Sequence, residues 1–267
     1  MKLRPIAGIV LRQLYLLRGS PVRLFPMVTW VAIDIVLWGF ITRYLNTVSG
    51  SGVNFVPTLL GAVLLWDFST RIMQGVSTAF LEDVWSRNFL NLFASPLSIS
   101  EYIAGLVFTS IMTSCVGLIV MLAIATGVFR LEFFSLGMPL LAFLLVLFVF
   151  GISLGIFGSG IVLRFGPASE WLLWPLPALL SPFAAVFYPL ATLPPWMQVI
   201  AHALPPAYVF EGMRSLLAGK AFPGVLLLQG AAVAALELLL AAYVYGRIYR
   251  HAVRTGLLAR YSAEGAA

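Results

Sequence analysis

Residues 136–163 read LGMPLLAFLLVLFVFGISLGIFGSGIVL, and none of them is charged. A helix rises about 1.5 Å per residue, so the run exceeds the roughly 20 residues that cross about 30 Å of hydrocarbon. The rest of the chain has the same character. Its 267 residues are 61% hydrophobic and 10% charged, with a mean hydropathy of +1.00. A soluble domain is about a quarter charged. Here there are too few polar groups to cover a water-facing surface, which excludes soluble enzymes and disulfide-stapled secreted domains. The single cysteine, Cys115, excludes an internal disulfide and reads as a small packing residue in an apolar run. His202 and His251 are far apart, and no metal-ligand cluster is spelled out.

Working outward, five further stretches are apolar and long enough to span: 24–41, 55–80, 102–128, 171–190 and 225–245. Together with 136–163 they predict an all-α membrane protein of six transmembrane helices. No internal repeat is visible, so an inverted-repeat transporter is not indicated. With both termini in the cytoplasm, Lys2, Arg4, Arg12, Arg18, Arg23, Arg87, Arg164, Arg247, Arg250, Arg254 and Arg260 share the inner side. Arg43, Arg130, Arg214 and Lys220 fall outside, and Arg71 falls within a span. That asymmetry is the positive-inside pattern, and it requires an even number of spans. It also accounts for the net charge of +6 without nucleic acid.

The segment ahead of the first span lacks a cleavage site and is not read as a signal peptide. Leu3, Ile6, Val10, Leu14 and Leu17 recur at steps of three and four, with Arg4, Arg12 and Arg18 as cationic anchors. Residues 1–23 therefore predict an amphipathic helix in the cytoplasmic interface, or a plain lead-in. Between the second and third spans, Val84, Trp85, Asn88, Phe89, Leu92 and Phe93 are helically spaced over 81–93, behind Glu82 and Asp83 as first-turn acids. Pro96 closes this stretch, and Ser100-Glu101 opens the next span. The uncovered apolar stripe is either an interaction surface or a face lying on the membrane. Pro175, Pro177, Pro182 and Pro189 interrupt the fifth run, and Pro194-Pro195 and Pro205-Pro206 delimit two short apolar segments. These predict a pair of re-entrant helices dipping from the outer face, or an unusually apolar outer loop. Gly151, Gly155, Gly158 and Gly160, with Ser153 and Ser159, allow close helix packing, either within the molecule or across a dimer.

Asp34, Asp67, Arg71 and Glu237 fall inside predicted spans, where each charge costs at least about 2.5–3.5 kcal/mol and marks function by default. Asp67 and Arg71 are four apart, acid first, and suit an internal ion pair. Asp34 and Glu237 have no same-helix partner; they either line a polar route or sit near a boundary. Glu211 and Arg214 are three apart in the re-entrant region and pair with each other or cap its helices.

Ala94-Ser95-Pro96-Leu97-Ser98, after its helix-like loop, resembles the first cytoplasmic loop of ATP-binding-cassette type-2 permeases. The stretch from Phe187-Tyr188-Pro189 to Leu193-Pro194-Pro195-Trp196, then Leu204-Pro205-Pro206-Ala207-Tyr208 and Glu211-Gly212-Met213-Arg214, is similar to that family's last outer region. The resemblance covers nearly the whole chain. It implies one permease domain over 1–267: an interfacial helix (1–23), a six-span bundle (24–250) and a cytoplasmic tail (251–267). It further implies the transmembrane subunit of an exporter in a bacterial cytoplasmic (inner) membrane, pairing with a second permease copy, a homodimer, on two cytoplasmic ABC ATPase subunits. By the same resemblance the loop becomes a coupling helix that docks on the ATPase through Glu82, Trp85, Arg87, Asn88 and Phe89. The cargo is then an amphiphile: lipid-linked, polysaccharide-type or a drug. A phosphate loop needs Gly-x-x-x-x-Gly-Lys-[Ser/Thr]; around the only Gly-Lys pair, Gly219-Lys220, Arg214 takes the first glycine's place and Ala221 follows the lysine. No cofactor is therefore expected on this chain, and ATP and Mg belong to the partner. A secondary transporter or channel using the intramembrane carboxylates is the alternative. An intramembrane enzyme lacks its motifs here, with no His-Glu-x-x-His or Gly-x-Ser-x-Gly.

Overall fold

The structure, a computed structural model, describes residues 3–19, 24–48, 56–86, 92, 95–131 and 137–257. Every regular element among them is helical. In order these are α1 (Leu3–Gly19), α2 (Leu24–Val48), α3 (Gly61–Trp85), α4 (Ile99–Phe129), α5 (Met138–Phe165), α6 (Leu176–Leu180), α7 (Pro195–His202), α8 (Pro205–Leu217) and α9 (Gly224–Thr255). A π turn at Val56–Leu60 leads into α3, and 3-10 turns occupy Pro167–Leu172 and Leu190–Thr192. Four helices contain runs long and apolar enough to cross a membrane: Val28–Val48 within α2, and the whole of α4, α5 and α9. Their outer faces leave large apolar side chains exposed, among them Ile119 on α4, Leu145 on α5 and Leu239 on α9. Apolar surface on this scale matches lipid as the solvent.

The α3 helix is as long as α2 but carries Asp67, Arg71, Glu82 and Asp83. Its place in the bundle makes those charges tolerable. It packs between α4 and α5 and buries Leu64, Leu65, Ile72, Val76, Phe80 and Leu81 in the common core. A helix wrapped by protein can hold charges that a lipid-facing helix cannot. Small residues allow the close contacts. A Cβ on Gly151 of α5 would lie 2.6 Å from the Ser69 carbonyl oxygen of α3, and one on Gly155 would lie 2.7 Å from Val76 Cβ. Gly75 of α3 meets Ser110 of α4 just as closely, and Ser110 Oγ donates to the Ile72 carbonyl at 2.7 Å. The glycine-rich face of α5 is thus used within the molecule.

Three expectations require correction. Residues 171–190 do not form one helix. The prolines at 175, 177, 182 and 189 withhold amide donors, and the chain passes through a 3-10 turn, the short α6 and irregular turns instead. Residues 81–85 do not open a separate helix. No breaker lies between Phe80 and Trp85, so α3 continues through them, and Glu82 and Asp83 fall in its last turns rather than in a first turn. Ser86 follows as the C-cap, and 87–91, 93 and 94 lie outside the described residues. The next span starts two residues earlier than Ser100-Glu101 suggested. Ser98 is its N-cap, accepting from the Glu101 amide at 3.3 Å and donating its own amide to Glu101 Oε2 at 3.1 Å. This reciprocal capping box satisfies two backbone donors that a helix start otherwise leaves open.

Two smaller readings also change. In α1 the buried residues are Ile6, Ile9 and Gln13, packed toward α4, while Leu3, Leu11 and Tyr15 are exposed. Cys115 is exposed on α4 and does not pack in the core.

Candidate site: a polar cavity between α1, α2, α3 and α4

Among the described residues a cavity of about 800 Å³ opens in the bundle. Its α3 wall presents Asp67, Arg71, Gln74, Thr78, Glu82 and Trp85, which recur every three or four residues and so stand on one face of the helix. The α2 helix contributes Trp30 and Asp34. The α4 helix contributes Thr109, Thr113 and Ser114, and α1 contributes Gln13. Trp174 closes one side from the proline-broken segment.

The charges are arranged asymmetrically. Arg71 Nε donates to Asp67 Oδ2 at 2.8 Å, and both side chains are largely buried. Asp34 makes no hydrogen bond or ion pair among the described residues and sits within electrostatic reach of Arg71 and Asp67. Glu82 lies further down the same face, toward Trp85. Two buried polar atoms of the wall have no hydrogen-bond partner among the described residues: Gln13 Nε2 and Ser114 Oγ, in side chains 3% and 2% exposed. A buried polar atom without a partner costs about 1–3 kcal/mol.

Other expected site residues lie elsewhere. Trp85 ends α3 with its ring half exposed, and its indole N–H donates to Glu170 Oε2 at 2.7 Å, tying the end of α3 to the 3-10 turn after α5. Arg87, Asn88 and Phe89 lie outside the described residues. Glu237 is partly buried on α9, with Oε2 unpartnered among the described residues, and it does not reach the cavity. Glu211 and Arg214 pair at 3.0 Å on α8 and act together as a clip. Glu211 Oε1 also accepts from the Leu190 amide at 2.6 Å. Arg214 donates to the Ala185 carbonyl at 2.9 Å and the Val186 carbonyl at 3.4 Å. Ala185 is fully buried with φ +52°, a conformation that favours glycine, so the clip holds backbone that would not adopt this shape unaided.

One arrangement escaped the sequence reading. Arg12, expected to be an interfacial anchor, forms an ion pair with Asp83 Oδ1 at 2.5 Å, and Tyr102 donates its hydroxyl to Asp83 Oδ2 at 2.8 Å. Asp83 is 2% exposed, so α1, α3 and α4 are pinned together just below the cavity. A signal was present in the sequence: an acid in the last turn of a helix opposes the dipole and calls for a cation.

Residues 16–218 match the model of a known family, the ABC-2 type transporter. No curated protein matches the chain.

Proposed function

Because the chain belongs to the ABC-2 type transporter family and is an integral, multi-pass membrane protein, we propose that it is the passage-forming subunit of an ATP-driven exporter. In this reading it works as a homodimer on two copies of a cytoplasmic ABC ATPase. ATP and Mg bind on the ATPase, and this chain supplies the route for an amphiphile. The observation that carries the reading is the cavity itself. Its polar wall runs along one face of α3 from the buried Asp67–Arg71 pair down to Trp85, and Trp85 adjoins the segment expected to meet the ATPase. A push on the 81–93 segment therefore moves the helix that lines the route. The Arg12–Asp83–Tyr102 contact carries the same displacement into α1 and α4.

The six-crossing topology is part of the proposal. The α2, α3, α4, α5 and α9 helices make five crossings, and the broken run over 167–192 makes the sixth. Support comes from its two ends: Glu170 is bonded to the end of α3, and Phe187 stacks on Trp38, deep in α2, with ring centroids 4.9 Å apart. Both termini then face the cytoplasm of a bacterial inner membrane, α1 lies in the inner interface, and α7 and α8 re-enter from the outer side. The unpartnered oxygen of Glu237 favours the second reading, a carboxylate-driven secondary transporter.

Reconstitution separates the two. The chain combined with a cognate ABC ATPase should show nucleotide hydrolysis above that of the ATPase alone. Phe89→Asp should abolish capture of the ATPase while permease yield stays unchanged. Flux driven by a proton gradient through the chain alone, with no ATPase bound, would overturn the exporter reading.

A further inference from the structure

The last turns of α9 carry a cationic cluster that the transport reading does not use. Arg247, Arg250, His251 and Arg254 recur at steps of three and four, stand on one exposed face of the helix and line a concavity of about 550 Å³. Arg247 donates to the Tyr243 hydroxyl at 3.5 Å, and its guanidinium lies 5.8 Å from the centre of that ring. The side chains of Arg250 and Arg254 make no hydrogen bond or ion pair among the described residues. Nothing nearby in sequence or packing answers their charge. The one acid of α9, Glu237, lies nearly three turns before Arg247, and α5, which packs along α9, ends with Arg164 and carries no acid. In residues 256–267, Arg260 and Glu264 offset each other.

The same face continues as an apolar stripe. Leu236, Leu239, Leu240 and Tyr243 are each more than half exposed and stand in line with the arginines at helical spacing. The other side of α9 does the packing, where Tyr245 and Ile248 meet α5 at Gly160. About 20 residues from Gly224 cross the hydrocarbon. The stripe therefore ends at Tyr243 near the boundary, and Arg247 and Arg250 stand one to two turns beyond it, at the depth of lipid headgroups.

We propose that this face of α9 holds an anionic phospholipid, with its phosphate among Arg247, Arg250 and Arg254 and its acyl chains along Leu236, Leu239 and Leu240. Guanidinium groups bind phosphate oxygens through paired hydrogen bonds, and arginines clustered at the end of a span attract anionic headgroups. The apolar stripe decides between a lipid and a free phosphate, because only a lipid can use both halves of the face. A second copy of this chain would bring the same cations and be repelled. The lipid is a resident of the transporter and not its cargo, so the binding does not rest on the exporter reading.

The test is native mass spectrometry of the purified chain in neutral detergent, titrated with phosphatidylglycerol and with phosphatidylcholine of the same acyl chains. Both carry a phosphate, but only the first has a net negative charge. Saturable binding of phosphatidylglycerol is expected, and Arg250→Gln/Arg254→Gln should weaken it about 25-fold, near fivefold for each arginine removed, down to the level of phosphatidylcholine. Arg250→Lys/Arg254→Lys should keep most of the affinity. Arg43→Gln/Arg130→Gln, which removes as much charge elsewhere, should leave it unchanged. Glycerol 1-phosphate, a phosphate without chains, should not displace the lipid at roughly a hundredfold excess, given the area of apolar stripe that only the chains cover. Equal affinity for the two lipids, equal loss in the Arg43/Arg130 variant, or displacement by glycerol phosphate would overturn the assignment. So would loss of ATPase capture or of the dimer in Arg250→Gln/Arg254→Gln with lipid affinity intact, which would give the face to a protein partner. All four arginines are exposed, so the variants should unfold at the same temperature as the parent chain.

Discussion

The most consequential single residues are those whose partners lie far away in the chain. Asp83 binds Arg12 from α1 and Tyr102 from α4 while almost wholly buried. Its partners were not legible because pairing across sequence distances of tens of residues leaves no periodicity. Asp67–Arg71, four apart on one helix, could be read directly. Removing one member of a buried pair strands the other charge, at a cost of about 3–5 kcal/mol, whereas replacing both with apolar residues is often nearly neutral. Arg12→Met should therefore lower the thermal unfolding midpoint of the detergent-solubilised chain sharply, and Arg12→Met/Asp83→Leu should recover most of the loss. A double variant as unstable as the single one would show that the pair is not the source of the effect.

At the level of elements, the sequence announced breaks better than boundaries. The prolines that cut 171–190 into pieces were visible, yet hydropathy alone counted the stretch as one span, because apolar composition reports what surrounds a segment and not whether its backbone bonds close. The α3 helix ran past its expected end for the complementary reason: 81–85 holds no breaker, and burial of Leu81, Asp83 and Val84 extends the helix. The broken segment needs an external hold, and the Glu211–Arg214 clip on α8 provides it through Ala185, Val186 and Leu190. Arg214→Gln removes the donors to Ala185 and leaves its left-handed backbone unsupported. Amide exchange over 183–192 should then accelerate at least tenfold, corresponding to a loss of about 1.4 kcal/mol or more in local opening energy, while α3 and α5 keep their protection. Uniform acceleration across the bundle would mean that the clip holds the whole fold rather than one segment.

For the whole molecule, the proposed orientation in the bilayer rests on the arrangement of charge and grease, and α9 tests it most directly. Its 32 residues make a rod of about 48 Å at 1.5 Å per residue, longer than the roughly 30 Å of hydrocarbon. The apolar part begins near Gly224, just after Lys220. The surplus falls at the other end, where Arg247, Arg250, His251 and Arg254 gather on one face. Cations in numbers at one end of a span mark the cytoplasmic side, and here they also suit the negative end of the helix dipole. The last two turns of α9 should thus stand in the cytoplasm, with the α8–α9 junction outside. A chain carrying Cys115→Ser, which removes the exposed native thiol, and then Lys220→Cys or Thr255→Cys, separates the two ends. A membrane-impermeant maleimide should label position 220 in intact cells and position 255 only in inverted vesicles. Labelling of both positions from the same side would mean that α9 does not cross, and the proposed even number of crossings would be lost with it.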